Sequence, residues 1–163
     1  WIKKYKINTN YFVPIGMKCN SLSDYEPYWG NLKIIKMKKG SFYYNYTLSN
    51  EKDDYFYIGT RDNALSINPS SYKCFYADMN CKLKNIINIR KATNLKTFLK
   101  KLGIKRYNYD SSYRYLEFVY GSTRYPEETT DTDIVWQITL NSKVQVTPDT
   151  IVSFEANDDW KQY

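Results

Sequence analysis

Short runs of aromatic and β-branched residues recur along most of the chain, and they restrict it to a fold rich in strands. The clearest runs are "LKIIKM" at 32–37, "FYYNYTL" at 42–48, "YFYIG" at 55–59 and "IVWQITL" at 134–140. Polar residues and turn formers separate these runs, which is typical of antiparallel strands joined by short connections. Further strands are predicted at 72–79, 83–91, 113–121 and 151–156.

One segment, "TNLKTFLKKLG", has a strong helical pattern. Its apolar residues fall at i, i+3, i+4 and i+7, and these are Leu95, Phe98, Leu99 and Leu102. Such spacing forms one apolar stripe along a helix, predicted here over 94–102. Thr93 or Asn94 supplies the N-cap, and Gly103 suits a left-handed C-cap.

The predicted elements give an α+β fold of mainly antiparallel strands, with the helix at 94–102 and one or two short helices, including one over 61–67. At 163 residues the chain can build one core. We expect an irregular N-terminal segment, residues 1–31, followed by a single domain, residues 32–163. The chain contains no run of 18 apolar residues, and its first residues are too polar for a signal peptide.

Histidine is absent from the whole sequence. This excludes Ser-His-Asp and Cys-His catalysis within the chain, and also the usual zinc sites. The three cysteines, Cys19, Cys74 and Cys81, form no CxxC pair, so we expect thiols in a reducing environment, the cytoplasm or a virion. No metal site is predicted, and "DTD" at 131–133 is interpreted as part of a solvated acidic loop.

Charge is distributed unevenly along the chain. Residues 1–107 hold 20 Lys or Arg and 7 Asp or Glu, whereas residues 108–163 hold 4 and 10. A candidate basic patch comprises Lys36, Lys38, Lys39, Lys100, Lys101 and Arg106. These cations fit nucleic-acid binding, but the strand lysines also fit an edge that avoids unwanted pairing, and the helix lysines also fit stabilisation of the helix C-terminus.

Between residues 38 and 89 the order of short motifs resembles the ADP-ribosyltransferase fold and its RES-like relatives in large DNA viruses. The matching features are Lys39-Gly40, Phe42-Tyr43-Tyr44, Tyr55-Phe56, Ala64 and Tyr72-Lys73-Cys74. The resemblance implies NAD as the ligand, with a His or Arg on the first strand, a Ser, Thr or Tyr on the second and a glutamate on a late strand.

In this chain the first of those positions falls at Tyr44 and Asn45, so neither His nor Arg is present. Thr60 matches the second position, and Glu117 or Glu155 is the candidate for the third. The resemblance therefore implies a scaffold without turnover, with NAD as a cofactor only if the protein is transferase-like. Separately, "GSTR" at 121–124 is interpreted as a plain turn, with anion binding through Arg124 as the alternative.

The main functional prediction is a non-enzymatic structural or interaction module, such as a component of a virion or another large assembly. Its Lys, Asn, Tyr and Ile bias is typical of AT-rich genomes, including those of large DNA viruses. We expect other protein chains as partners, with Trp1, Trp29 and Trp160 as interface candidates, because aromatic residues are favoured at interfaces. The alternatives are a transferase-like NAD-binding protein and a nucleic-acid-binding protein with a basic face.

Overall fold

The described residues divide into two units along the chain. The computed structural model describes residues 2–12, 14, 22–39, 44–60, 74–128 and 133–156. Within these ranges, unit 1 comprises residues 2–8 and 81–156, and unit 2 comprises residues 9–80. The stretch 1–31, expected to be one irregular segment, therefore contributes residues 2–8 to unit 1 and its later described residues to unit 2.

Four antiparallel strands of unit 2 pair in sequence order. They are β1 (Lys33–Lys39), β2 (Tyr44–Ser49), β3 (Tyr55–Thr60) and β4 (Cys74–Lys82). Tyr46 of β2 lies opposite Ile58 of β3, and both side chains are buried. Since directly paired residues of antiparallel strands share a face, this face of the sheet carries the core of unit 2.

A short helix, α1 (Glu26–Trp29), packs on that core face. The Trp29 ring stacks on Phe56 at a centroid distance of 4.0 Å and on Tyr25 at 4.8 Å. Two 3-10 turns, Thr9–Phe12 and Leu22–Asp24, belong to the same unit. Stacked aromatic rings thus provide much of the apolar contact in unit 2.

Unit 1 contains a second antiparallel arrangement, in the spatial order β10-β8-β7-β6. Its strands are β6 (Tyr107–Asp110), β7 (Tyr115–Val119), β8 (Ile134–Thr139) and β10 (Ile151–Ala156). A two-residue pair joins β5 (Thr93–Asn94) to β9 (Gln145–Val146). A 3-10 turn, Pro126–Glu128, precedes β8.

The predicted amphipathic helix is confirmed as α2 (Leu95–Leu102). The Asn94 side chain accepts a hydrogen bond from the Thr97 N–H at 2.8 Å, so Asn94 is the N-cap. Gly103 adopts a left-handed conformation with φ of 76° and ends the helix. Every strand pair described is antiparallel, so the α+β class with mainly antiparallel strands is confirmed as well.

Two local predictions were wrong. Residues 83–91 were expected to form a strand, but Leu83–Asn85 form a 3-10 turn. Leu83, Ile86 and Ile87 are all buried, and a turn brings this i, i+3, i+4 spacing to one side whereas a strand does not. The polar connection expected at 104–112 contains β6, which pairs with β7 through backbone groups despite its polar side chains. The short helix predicted at 61–67 lies outside the described residues.

Candidate functional site

An extended N-terminal segment, residues 2–8, is fixed to unit 1 by backbone hydrogen bonds. The Asn8 N–H donates to the Ile86 carbonyl at 2.8 Å, and Ile7 forms an antiparallel bridge with Ile87. The Lys6 N–H donates to the Asn88 side-chain oxygen at 2.8 Å, and the Asn88 N–H donates to the Lys6 carbonyl at 3.3 Å. These bonds hold the segment beside residues 86–88.

Tyr5 anchors the same segment to α2. Its N–H donates to the Lys101 carbonyl at 2.9 Å, and its ring lies 6.1 Å from the Phe98 ring, centroid to centroid. The Lys101 ammonium lies 5.0 Å from the centre of the Tyr5 ring. Burial raises the pKa of the Tyr5 hydroxyl, and the neighbouring Thr93 side chain acts in the opposite direction. Tyr5 is therefore a structural anchor that also positions a cation.

Lys4 binds the C-terminal end of α2. Its ammonium donates to the Lys100 carbonyl at 2.9 Å, and the Ile104 N–H satisfies the Leu99 carbonyl at 2.9 Å. Carbonyl groups at this end of a helix lack partners within the helix and carry partial negative charge. The Lys4 ammonium thus has a structural role, because it stabilises the carbonyl groups at the C-terminal end of α2.

Two pockets lie along this segment, and both are lined by Lys4. One has a volume of about 500 Å³ and is lined by Lys3, Lys4, Tyr5, Asn88, Ile89, Arg90, Lys91, Thr93 and Lys101. The other, of about 440 Å³, is lined by Ile2, Lys4, Lys100, Gly103, Ile104 and Lys105. We call the two pockets together the basic groove. Its cations are Lys3, Lys4, Arg90, Lys91, Lys100, Lys101 and Lys105.

Among the described residues that line the basic groove, none is an Asp or Glu. The two stretches that build it, residues 2–8 and 81–107, contain twelve Lys or Arg and no acidic residue. Lys84 of the same stretch does not line the groove, and its ammonium forms an ion pair with the Asp149 carboxylate at 3.1 Å. The groove therefore has a uniformly positive lining, which attracts anions.

Five of the seven groove cations make no side-chain hydrogen bond, ion pair or ring contact in the part of the chain that the structure describes. All five are exposed, and they are Lys3, Arg90, Lys91, Lys100 and Lys105. They differ in this respect from Lys4 and Lys101, which contact the helix end and Tyr5. These five are therefore the cations most available to an external anion.

The two halves of the predicted basic patch belong to different units. Lys36, Lys38 and Lys39 lie on β1 in unit 2, where they are exposed. Lys100 and Lys101 lie on the last turn of α2 in unit 1 and line the basic groove. Arg106 lies after the helix, with its guanidinium 5.4 Å from the centre of the Tyr125 ring.

The candidate transferase residues are also distributed over both units. Tyr44 and Asn45 lie on β2, and Tyr44 is in register with Thr60 at the end of β3. Glu117 lies on β7 in unit 1, where it is half-buried and accepts a hydrogen bond from the Tyr115 hydroxyl at 3.3 Å. Glu155 is on β10 of unit 1. The Tyr44–Thr60 pairing is the one neighbour relation described among these candidates.

Arg124 does not serve as a free anion ligand. Its guanidinium donates to both carboxylate oxygens of Asp133, at 2.7 and 2.8 Å, and the Asp133 side chain is 9% exposed. The geometry is bidentate, so the positive charge of Arg124 is already matched. This corrects the alternative interpretation of "GSTR" as an anion site, and it gives Asp133 a structural role.

Trp29 is an interior residue rather than an interface residue. It is 3% exposed, stacks within unit 2, and donates its indole N–H to the Tyr11 carbonyl. The other two interface candidates, Trp1 and Trp160, lie outside the described residues.

Cys81 is buried and makes no disulfide with the described residues, whereas Cys19 lies outside them. Among the residues that the structure describes, no group of three His, Cys, Asp or Glu could hold a metal ion. No helix within the described ranges is long and apolar enough to cross a membrane.

Local sequence patterns do not identify Lys3, Lys4, Arg90 and Lys91 as candidate site residues. The charge imbalance over residues 1–107 is visible in the sequence, but the local clusters of cations indicate other residues. The absence of acidic residues from both 2–8 and 81–107 is the signal that could have found the groove. Their proximity depends on the pairing of two segments about eighty positions apart, such as Lys6 with Asn88.

The comparisons with known proteins returned no relative. No family model matches the chain, and no curated protein or solved structure matches it. We therefore infer the function of the protein from the geometry of the described residues.

Proposed function

We propose that the protein is a non-enzymatic interaction module that binds nucleic acid through the basic groove of unit 1. The observation that carries this proposal is the acid-free lining of the groove, with seven cations along one fixed segment. Cations that contact successive phosphates release condensed counterions, and this release is the main source of sequence-independent affinity. The principal phosphate ligands in this proposal are Lys3, Arg90, Lys91, Lys100 and Lys105.

The chemistry of the groove favours recognition of the backbone over recognition of bases. Among the described lining residues Tyr5 is the one aromatic side chain, and the Lys101 ammonium already lies over that ring. Stacking of bases on exposed aromatic rings is the common way to hold single strands with higher affinity. The groove therefore supports binding with weak sequence preference, in which phosphate contacts position the ligand.

Fluorescence anisotropy of a labelled single-stranded oligonucleotide tests the proposal through its salt dependence. With about four phosphate contacts, the slope of log K against log salt is about −3, so affinity falls about 50-fold between about 50 and about 200 mM salt. A slope near zero would contradict the proposal. Binding that depends strongly on base sequence at constant length would contradict the backbone mechanism.

Two double variants with equal net charge separate the groove from the general charge of the protein. Arg90→Glu/Lys91→Glu should weaken oligonucleotide binding at least tenfold, because it places acidic groups in the groove. Lys96→Glu/Lys143→Glu makes the same charge change at exposed residues of unit 1 that do not line the groove. Equal losses in both variants would mean that net charge, and not the groove, determines binding.

A further inference from the structure

The first strand of unit 2, β1, is an edge strand with an unusual surface. It pairs with β2 on one side, and no other strand of the described residues pairs with its second edge. All seven residues from Lys33 to Lys39 are exposed. As far as the described residues go, the backbone N–H and C=O groups along the second edge have no strand partner, and such groups can pair with an added strand.

Apolar side chains of β1 lie on the same face of the sheet as the core of unit 2, and they extend that face to the edge strand. Ile34 lies opposite the buried Leu48, and Met37 lies opposite the buried Tyr46. Paired residues share a face, so Ile34 and Met37 extend the same apolar face. Even so, they are 37% and 46% exposed. An added strand with apolar residues in matching positions would cover them.

The opposite face of β1 carries positive charge. Lys36 lies opposite Thr47, and Lys38 lies opposite Asn45, so both lysines are on the face away from the core. Neither side chain makes a hydrogen bond or ion pair within the described ranges. Lys39 lies opposite Tyr44 and so shares the face of Met37, at the end of the strand. A strand added at this edge would therefore meet Lys36 and Lys38 on one face, and Ile34 and Met37 followed by Lys39 on the other.

A second copy of this chain is a poor occupant of the edge. Pairing β1 with itself would bring lysines close to lysines, and like charges on neighbouring strands are destabilising. Charge complementarity instead favours an acidic strand.

We propose that β1 is a docking strand for an extended segment of a partner protein in which acidic and apolar residues alternate. Main-chain hydrogen bonds to the second edge provide affinity, as in other cases of strand addition. Acidic residues on one face lie beside Lys36 and Lys38, and apolar residues on the other lie beside Ile34 and Met37. This site shares no residue with the basic groove, so the two proposals can be tested separately.

Anisotropy of a labelled peptide of about eight residues, in which Glu and Val alternate, tests the docking strand. The peptide should bind the wild-type protein, and Lys36→Glu/Lys38→Glu should weaken binding at least tenfold. Lys96→Glu/Lys143→Glu has the same net charge and should bind like the wild type. No binding to the wild type, or equal binding to both variants, would overturn the proposal.

A second peptide separates strand addition from simple charge attraction. Replacing alternate valines with proline keeps the acidic charge but removes backbone N–H groups, so this peptide cannot complete a strand ladder. It should bind at least tenfold more weakly. Hydrogen exchange should show protection of the 33–39 amides by the first peptide alone. Equal affinity for both peptides, or formation of dimers through β1 without peptide, would contradict the proposal.

Discussion

The basic groove of unit 1 and the β1 strand of unit 2 carry the same sign of charge in different surroundings. In the groove, backbone bonds fix residues 2–8 beside 86–88 and α2, so the cations surround a cavity. On β1, four lysines alternate with exposed apolar residues along an unpaired edge of the described sheet. Charge of the same sign thus lies beside a cavity in unit 1 and beside a strand edge in unit 2. This difference in surroundings is why we propose different partners for the two regions.

The largest expected effect is a loss of binding affinity that is specific to one ligand in each of two double variants. Arg90→Glu/Lys91→Glu should lose at least tenfold in oligonucleotide affinity and keep its affinity for the alternating Glu-Val peptide. Lys36→Glu/Lys38→Glu should show the reverse pattern. Anisotropy titrations of both ligands with both variants measure this. If each variant lost both ligands to the same extent, the distinction between the two regions would be refuted.

A smaller effect is expected from Asp54, which supports unit 2. Asp54 is 1% exposed and accepts a hydrogen bond from the Tyr11 hydroxyl, which itself accepts one from Asn50 at 2.8 Å. Asp54→Ala leaves a buried hydroxyl without its acceptor, which costs about 1–3 kcal/mol. Chemical denaturation and hydrogen exchange should report weaker protection in β2 and β3.

The neighbouring exposed residue supplies the control for Asp54. Asp53 has a positive φ of 59°, a conformation that Asn also tolerates, so Asp53→Asn should leave stability nearly unchanged. Oligonucleotide affinity should be similar in both variants, since neither residue lines the groove. A large loss of that affinity in Asp54→Ala alone would mean that the groove depends on unit 2.

Gly103→Ala tests whether the end of α2 shapes the groove. A Cβ atom at residue 103 would lie 3.3 Å from the Lys4 ammonium, and φ there is 76°. The left-handed conformation alone costs about 1–2 kcal/mol for a residue with a Cβ. Gly121 has the same φ of 76° but no atom within 4 Å of its Cβ position. Both variants should lose similar stability in denaturant, and only Gly103→Ala should lose oligonucleotide affinity, by a few-fold.

The smallest effect is a pH dependence at Tyr5. Burial raises the pKa of its hydroxyl above the ordinary value of 10.0, and the neighbouring Thr93 side chain acts in the opposite direction. A raised pKa means that the fold favours the neutral form, so this stabilisation is present below pH 10.0 and lost as the pH rises through the folded-state pKa. Denaturation between about pH 9 and 11 should show a shallower loss for Tyr5→Phe. The exposed Tyr113→Phe should follow the wild type.

The sequence predicted the parts of the fold that depend on local pattern. The stripe from Leu95 to Leu102, with Asn94 and Gly103 as caps, led to α2 with nearly correct ends. Alternating aromatic and apolar runs led to β2, β3 and β8, because a sheet with one buried face imposes that period. The class of fold followed from these elements.

The sequence did not predict features that depend on distant segments. The 3-10 turn at Leu83–Asn85 places buried residues at positions i, i+3 and i+4 on one side of the chain. Ile87, which follows this turn, pairs with the distant Ile7. The groove forms because residues 2–8 pair with residues 86–88, and no local sequence pattern predicts that pairing. The ADP-ribosyltransferase resemblance stays a prediction, as does the NAD binding that it implies.

Mapping the oligonucleotide on the wild-type protein by backbone NMR tests the central claim most directly. Titration with a single-stranded oligonucleotide of mixed sequence should shift the amide signals of residues 3–6, 88–91 and 100–105. The signals of residues 33–39 should remain in place. Shifts confined to 33–39, or no shifts at an excess of oligonucleotide at low salt, would contradict binding in the basic groove.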